Sequence, residues 1–445
     1  MTALAHPLPA GAVNAKLTDL IAAAAVAIGV LLSGFVLREP APYEIYMAGL
    51  IGVWALFGLR ISRRVAPLLA LLIVFNIGGM ISMLQMKTIG DTPLYIAVSL
   101  FLAFTSVFFA AVIERRPDLF KVIFTAWIVA ATTTAFLGIA GYFGIVPGAE
   151  NFVRYSRAAG AFEDPNVFGP FLTLPGIYLL YRLLTGRPAN MILYAIPLLI
   201  ITGGIFFSFS RGAWGLFAGS AVILTAALFA RSTSGMFRLR IVLMSMIAFV
   251  LLAIALMVLL QIPAVAELFS ARAQLVQEYD GSRLGRFARY GLGFMMALEH
   301  PFGIGPLEFG KQLGEDTHNI WLKSLLDYSW LGFVAWLIMI CWTVAGGFRI
   351  LFRDRPWQPY FLCVYVVFIG HVALGSIIDT DHWRHFYLLL GLVWGCMALE
   401  TRWQQHRRDD AAGPAVAARP AAIPATRQAT APNPAAAGRS SLLET

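Results

Sequence analysis

Residues 315–340 read EDTHNIWLKSLLDYSWLGFVAWLIMI, and the reading of this stretch decides the fold. From Ile320 onward the residues are mostly apolar, and no charge follows Asp327 until Arg349. A helix rises about 1.5 Å per residue, so the run 318–348 can cross a hydrocarbon core about 30 Å thick. The pattern predicts a membrane span over 318–348 with His318 and Asn319 at its mouth. Lys323 and Asp327 are spaced i,i+4 and are expected to pair with one another inside a helix bundle. At roughly 100° per residue both project well over 90° away from His318. That geometry places them outside its immediate surroundings.

The rest of the chain has the same character. Of 445 residues, 59% are hydrophobic and 13% charged, with a mean hydropathy of +0.74. A soluble domain carries about a quarter charged residues. The fold class expected is an all-α polytopic membrane protein with about twelve transmembrane helices. The spans fall near 17–37, 42–59, 66–86, 93–113, 119–143, 166–181, 191–208, 212–230, 241–260, 318–348, 357–378 and 385–400. The first run is long for a signal peptide and other spans follow at once, so it reads as a retained span. Cys341, Cys363 and Cys396 fall within spans and read as packing residues rather than a disulfide or zinc framework. No internal repeat of the transporter kind is visible.

The net charge of +9 does not imply nucleic acid, because the basic residues are scattered over loop ends. Alternate short loops hold Lys16, then Arg60, Arg63 and Arg64, then Arg115, Arg116 and Lys121, and so on to Arg349, Arg353 and Arg355. By the positive-inside rule both termini are cytoplasmic, and His318 faces outward. The resulting organisation is a cytoplasmic N-terminus (1–16), nine spans (17–260), a large outward loop (261–317), three spans (318–400) and a tail (401–445). The tail, rich in Ala, Pro and Arg, is expected to be disordered and cytoplasmic. The outward loop holds two helix-like stretches, AVAELFSARAQLVQEY and SRLGRFARYGLGFMMALE, and then the Gly-rich turn HPFGIGPLEFG. A loop of this length with helices of its own is usually functional.

Polar chemistry gathers on the outward side. Arg283, Arg286 and Arg289 recur every third residue and share one broad helix side. Arg211 follows FFSFS at the outer end of the seventh span, and Arg154 and Arg157 precede AFEDPNVFG. Guanidinium groups bind phosphate oxygens in bidentate fashion, so such a cluster suits a phosphorylated ligand. Each residue also has a plainer reading. The three loop arginines could form a headgroup-facing surface, Arg211 could snorkel to lipid phosphates, and Arg154 and Arg157 could simply be surface residues. His318 could be a hydrogen-bonding group at a helix start, and His371 a bonder inside the bundle.

Three ordered segments, FFSFSRGAWGLFAGSAVIL, GSRLGRFARYGLGFMMALEHPFGIGPLEFG and THNIWLKSLLDYSWLGFVAWLI, resemble the O-antigen ligase/polymerase superfamily of bacterial envelope glycosyltransferases. AFEDPNVFGPFLTLP adds to the likeness, which covers roughly residues 150–400. Ser329 stands where ligases of the family carry glycine, ten residues after Asn319, which sets the chain apart from lipopolysaccharide ligases proper. The resemblance implies a multi-pass protein of the bacterial inner membrane. It would move a glycan from undecaprenyl pyrophosphate to a sugar hydroxyl of lipid A core, or of another lipid-linked glycan. Inversion and independence of metals and other cofactors are implied as well. Arg211 and Arg283 match the family's pyrophosphate-contacting positions and His318 its essential histidine. Arg286, Arg289, Arg157, Arg154, Asn319, His382 and Arg384 are expected to assist substrate binding.

Two further readings stand beside this one. Asp379 and Asp381 in DTDHWRHF form a D-x-D pair, with His382 and His385 nearby, and could hold a metal at a pyrophosphate. A transporter or flippase of lipid-linked glycan would share the topology. Transporters, however, usually bury ionisable residues at the midplane or break helices there, and the first nine spans hold almost no charge beyond Glu44. A polymerase of the same superfamily, extending O-antigen or exopolysaccharide, remains a second enzymatic reading.

Overall fold

The computed structural model describes residues 10–58, 60–274 and 285–412. The chain divides into two compact units, Met1–Thr401 and Arg402–Thr445, and the site lies in the first. The structure is helical. Among the described residues eight helices are long and apolar enough to cross a membrane: Ala66–Met83, Thr92–Arg115, Leu119–Tyr142, Pro165–Thr185, Pro188–Phe207, Arg211–Arg231, Gly235–Leu259 and Ser329–Ile350. Gln358–Leu374 is a shorter apolar helix. Helices Ala10–Leu32, Pro42–Leu56 and Arg384–Ala412 occupy the remaining predicted intervals. The last of these runs past residue 401, where the sequence pattern begins the tail. The rest of the tail, from 413, lies outside the described residues.

Short-range chemistry sets the helix starts. Ser210, Ser234 and Asn319 each accept hydrogen bonds from backbone N–H groups in the first turn that follows them. Such side chains satisfy donors that have no partner within the helix. The remaining expected outward segment contains helices Pro263–Ala273, Arg286–Glu299 and Glu308–Leu313. A small β-hairpin, Val153–Arg154 paired with Arg157–Ala158, precedes the AFEDPNVFG stretch.

The predicted span over 318–348 is not one helix. Helix Ile320–Asp327 stops, and Ser329–Ile350 begins after a break in which Ser329 has φ +62°. In a continuous helix the Trp330 N–H would bond to the Leu326 carbonyl. Here it bonds to Pro301 O at 3.1 Å instead. The freed Leu326 carbonyl accepts from Ile304 N and from the Ser82 hydroxyl, both at 2.9 Å. Non-helical backbone inside a membrane bundle is tolerated only with such re-satisfied groups.

The most extensive helix pair is Ala66–Met83 with Ser329–Ile350. Close approach depends on Gly78, where a Cβ would lie 2.2 Å from the Tyr328 carbonyl oxygen. Phe75 stacks on Tyr328 at 3.9 Å between ring centroids and reaches Trp336 at 5.0 Å. This pair supports the break from one side, and the turn 300–307 supports it from the other. Gly303 sits at φ +82°, and a Cβ there would meet Ser82 Oγ at 2.2 Å.

Arg211–Arg231 is 21 residues long, about 30 Å at helical rise, so its two ends lie on opposite faces of the bundle. At the far end Arg231 pairs with Asp354, while Arg353 and Arg355 both pair with Glu400. Arg211 is at the near end, where the polar site is built.

Candidate active site

The site is a cleft of about 470 Å³ lined by residues from several segments far apart in sequence. Arg211 is the first residue of its helix, set there by a tight turn in which Phe209 takes φ +46°. A left-handed aromatic residue costs about 1–2 kcal/mol and persists only where its surroundings fix it. Phe209 is buried, and packing against Tyr142, Phe206 and Trp214 holds it. The Arg211 guanidinium donates to the Gln274 carbonyl at 3.1 Å, joining the span to the end of the loop helix.

Arg157 reaches the same cleft from the hairpin. It is 5% exposed, donates through Nε to Ser208 O at 2.6 Å and through a terminal nitrogen to Asn166 Oδ1 at 2.8 Å. Those bonds link AFEDPNVFG to the FFSFSR turn. Arg289 approaches from helix Arg286–Glu299, 4% exposed, and pairs with Glu315 at 2.5 Å. Its Nε finds no hydrogen-bond partner among the described residues. Arg272, from helix Pro263–Ala273, completes four arginines against one glutamate, Glu315.

His318 faces this cluster from the start of helix Ile320–Asp327. It has φ +48°, so it is not part of that helix. The turn is clasped from two sides. Tyr290 donates its hydroxyl to the His318 carbonyl at 3.2 Å and to the Ser376 carbonyl at 3.3 Å. Asn319 donates its backbone N–H to Asp379 Oδ1 at 2.9 Å and its side-chain amide to Ser376 O at 3.0 Å. Nδ1 of His318 lies 4.0 Å from Asp379 Oδ2, too long for a hydrogen bond but within ion-pair range of a protonated ring. Burial pushes the Asp379 carboxyl up to about 7 against the pull of Lys323.

The structure thus brings together Arg211, Arg157, Arg289 and His318, with Asn319 capping the adjacent helix. Arg154 stays on the hairpin, donating to the Glu150 and Val153 carbonyls, and does not line the cleft. Arg283 lies outside the described residues, as does the side chain of Arg286, whose backbone opens helix Arg286–Glu299. His382 bonds to Asp381 at 2.9 Å and to the Tyr95 carbonyl at 3.0 Å. Arg384 is buried in ion pairs with Glu39 and Glu44. Neither lines the cleft.

The D-x-D carboxylates point to different partners. Asp379 serves the His318 turn, whereas Asp381 accepts from Tyr95 at 2.6 Å, Tyr328 at 3.2 Å and His382. Among the described residues no group of three or more His, Cys, Asp or Glu is arranged to hold a metal ion.

Sequence reasoning missed two residues. Arg272 closes the short stretch LFSAR in the outward loop, where no motif sets it apart. Counting helical turns places Lys323 away from His318. The count fails because His318 is not helical, and Lys323 Nζ in fact lies 3.8 Å from the Asp379 carboxylate that faces His318.

No curated protein matches the chain at a significant level. Residues 196–337 match the family model described as O-Antigen ligase. That segment runs from the helix before the Phe209 turn, through the loop carrying Arg272 and Arg289, to the His318 turn and the helix beyond it. The match over this segment supports its kinship with the O-antigen ligase superfamily.

Proposed function

We propose that the protein is an O-antigen ligase-like glycosyltransferase acting at the periplasmic face of the bacterial inner membrane. Its donor is a glycan on undecaprenyl pyrophosphate, and its acceptor is a hydroxyl of lipid A core or of another lipid-linked glycan. The topology that fits has about twelve spans, both termini in the cytoplasm and 261–317 as a periplasmic loop. The observation that carries the reading is the convergence of Arg157, Arg211, Arg272 and Arg289 on one cleft with His318.

As the C1–O bond of the donor breaks, negative charge builds on the departing pyrophosphate. Arginines already fixed by Ser208, Asn166, Gln274 and Glu315 meet that charge without reorganising. His318 takes the proton of the acceptor hydroxyl as that oxygen attacks C1 from the opposite face, which inverts the anomeric centre. Asp379, on the Nδ1 side of the ring, stabilises the imidazolium so formed and leaves Nε2 for the hydroxyl. The positive charge that a metal ion supplies elsewhere comes here from guanidinium groups. By resemblance Arg283 contacts the pyrophosphate together with Arg211, and Arg286 and Arg154 assist donor binding.

Single-turnover transfer from a synthetic pyrophosphate-linked donor tests this. His318→Ala should cut the rate about 10²–10⁴-fold while donor binding persists. Arg211→Lys keeps the charge but loses the planar fork, so it should remain strongly impaired. Wild-type turnover in His318→Ala would remove the base role. The glycans of a deletion strain identify the acceptor: accumulated polymeric lipid-linked glycan marks a ligase, and products stopped at one repeat mark a polymerase.

A further inference from the structure

Behind the His318 turn lies a charged cluster that the mechanism above does not use. Lys323 is buried, its side chain 4% exposed, and its ammonium group serves three carboxylates. It forms an ion pair with Asp316, lies 3.6 Å from Asp327 and lies 3.8 Å from Asp379. It also sits over the Tyr95 ring, 5.7 Å from the centroid. We propose that Lys323 is a positioning residue for the transfer reaction, fixing the Asp379 carboxylate against His318. The inference rests on His318 acting as the base.

The arrangement exceeds what packing requires. An i,i+4 partnership with Asp327 alone would neutralise Lys323 within its own helix. Instead the ammonium bridges three segments: the strand of loop just before His318 through Asp316, the helix end through Asp327, and the 375–383 loop through Asp379. Asp327, wholly buried, accepts from Leu307 N at 3.2 Å and so ties in the turn 300–307. Asp379 divides its two oxygens. Oδ1 takes the Asn319 N–H and the Thr317 hydroxyl, and Oδ2 lies between Lys323 and His318. Removing Lys323 would leave Oδ2 facing His318 with no fixed cation on its other side.

The charges around Asp379 give this a signature in pH. Those facing it are His318, Lys323 and Asp316, together with Asp381 from its own loop. Asp327 acts on it through Lys323, and Tyr95 is engaged with Asp381. Burial and the neighbouring carboxylates raise the Asp379 carboxyl to about 7, opposed chiefly by Lys323 and also by the Asn319 N–H. A protonated Asp379 cannot stabilise an imidazolium, so turnover should rise as pH climbs through about 7. Without Lys323 the carboxyl holds its proton to higher pH, and that acidic limb must move upward.

The test is single-turnover transfer by the full-length protein in lipid nanodiscs, measured between pH 5.5 and 9.5 with the pyrophosphate-linked donor. For Lys323→Met we expect roughly a 10–100-fold loss at pH 7, partial recovery near pH 9 and unchanged donor binding. Lys323→Arg should restore the wild-type limb. Lys323→Met on an Asp379→Asn background should cost little more than Asp379→Asn alone. If Lys323→Met does not insert, the Lys323→Met/Asp327→Asn pair removes the buried charges together and reads the same limb. A wild-type limb in Lys323→Met or in Lys323→Met/Asp327→Asn, or a loss equal at every pH, overturns the proposal. Wild-type turnover in His318→Ala would instead overturn the base assignment on which it rests.

Discussion

His318, Phe209 and Ser329 share a backbone property that matters for the site: each takes a positive φ, at +48°, +46° and +62°. The first two present the histidine and Arg211 to the cleft, so their strain accompanies function. Ser329 presents nothing. Its hydroxyl is buried without a partner among the described residues, and its φ suits glycine. Ser329→Gly should therefore stabilise the protein by about 1 kcal/mol, by removing both the left-handed strain and the unpaired hydroxyl. Thermal unfolding in detergent would show it as a higher midpoint with transfer activity retained, and a lower midpoint would refute it. The residue identities at the site were legible in part. A histidine at a helix mouth and arginines on outward loops stand out in so apolar a chain. The backbone conformations that aim them do not, because nothing in THNIW or FFSFSR specifies a left-handed residue.

At the level of elements, the break between Ile320–Asp327 and Ser329–Ile350 connects membrane packing to catalysis. Ala66–Met83 packs against it at Gly78, and Ser82 bonds to both the freed Leu326 carbonyl and the Gly305 N–H. Any side chain at Gly78 meets the Tyr328 carbonyl. Gly78→Ala should cost about 1–3 kcal/mol through overpacking. Because the break carries the Asp327 end of the Lys323 cluster, turnover should fall more than donor binding does. Unaltered unfolding and turnover in Gly78→Ala would show that the two helices do not approach this closely. The mostly apolar pattern of 318–348 predicts a single span here. Local pattern could not reveal the break, since the groups that satisfy the opened backbone come from residues 82, 301 and 304.

Over the whole molecule, charge is sorted to the two ends of an apolar bundle. One end holds the arginine cleft and the Lys323 cluster, and the other the pairs of Arg231 with Asp354 and of Arg353 and Arg355 with Glu400. The proposed orientation puts the cleft in the periplasm. Reporter fusions at Gly235 and in the tail should then read cytoplasmic, and one near Gln277 periplasmic; a periplasmic tail would invert the placement. What the sequence determined by itself is the class of molecule and most of its chemistry. Apolar runs of spanning length leave no alternative to membrane helices, and the few charges outside them are conspicuous. Only the tertiary structure decided which of those charges meet. It brought Arg157 and Arg272 to Arg211, removed Arg384 to Glu39 and Glu44, and drew Lys323 to the aspartate beside His318. Such choices depend on how a chain folds back over hundreds of residues, and side-chain spacing along one helix carries no information about them.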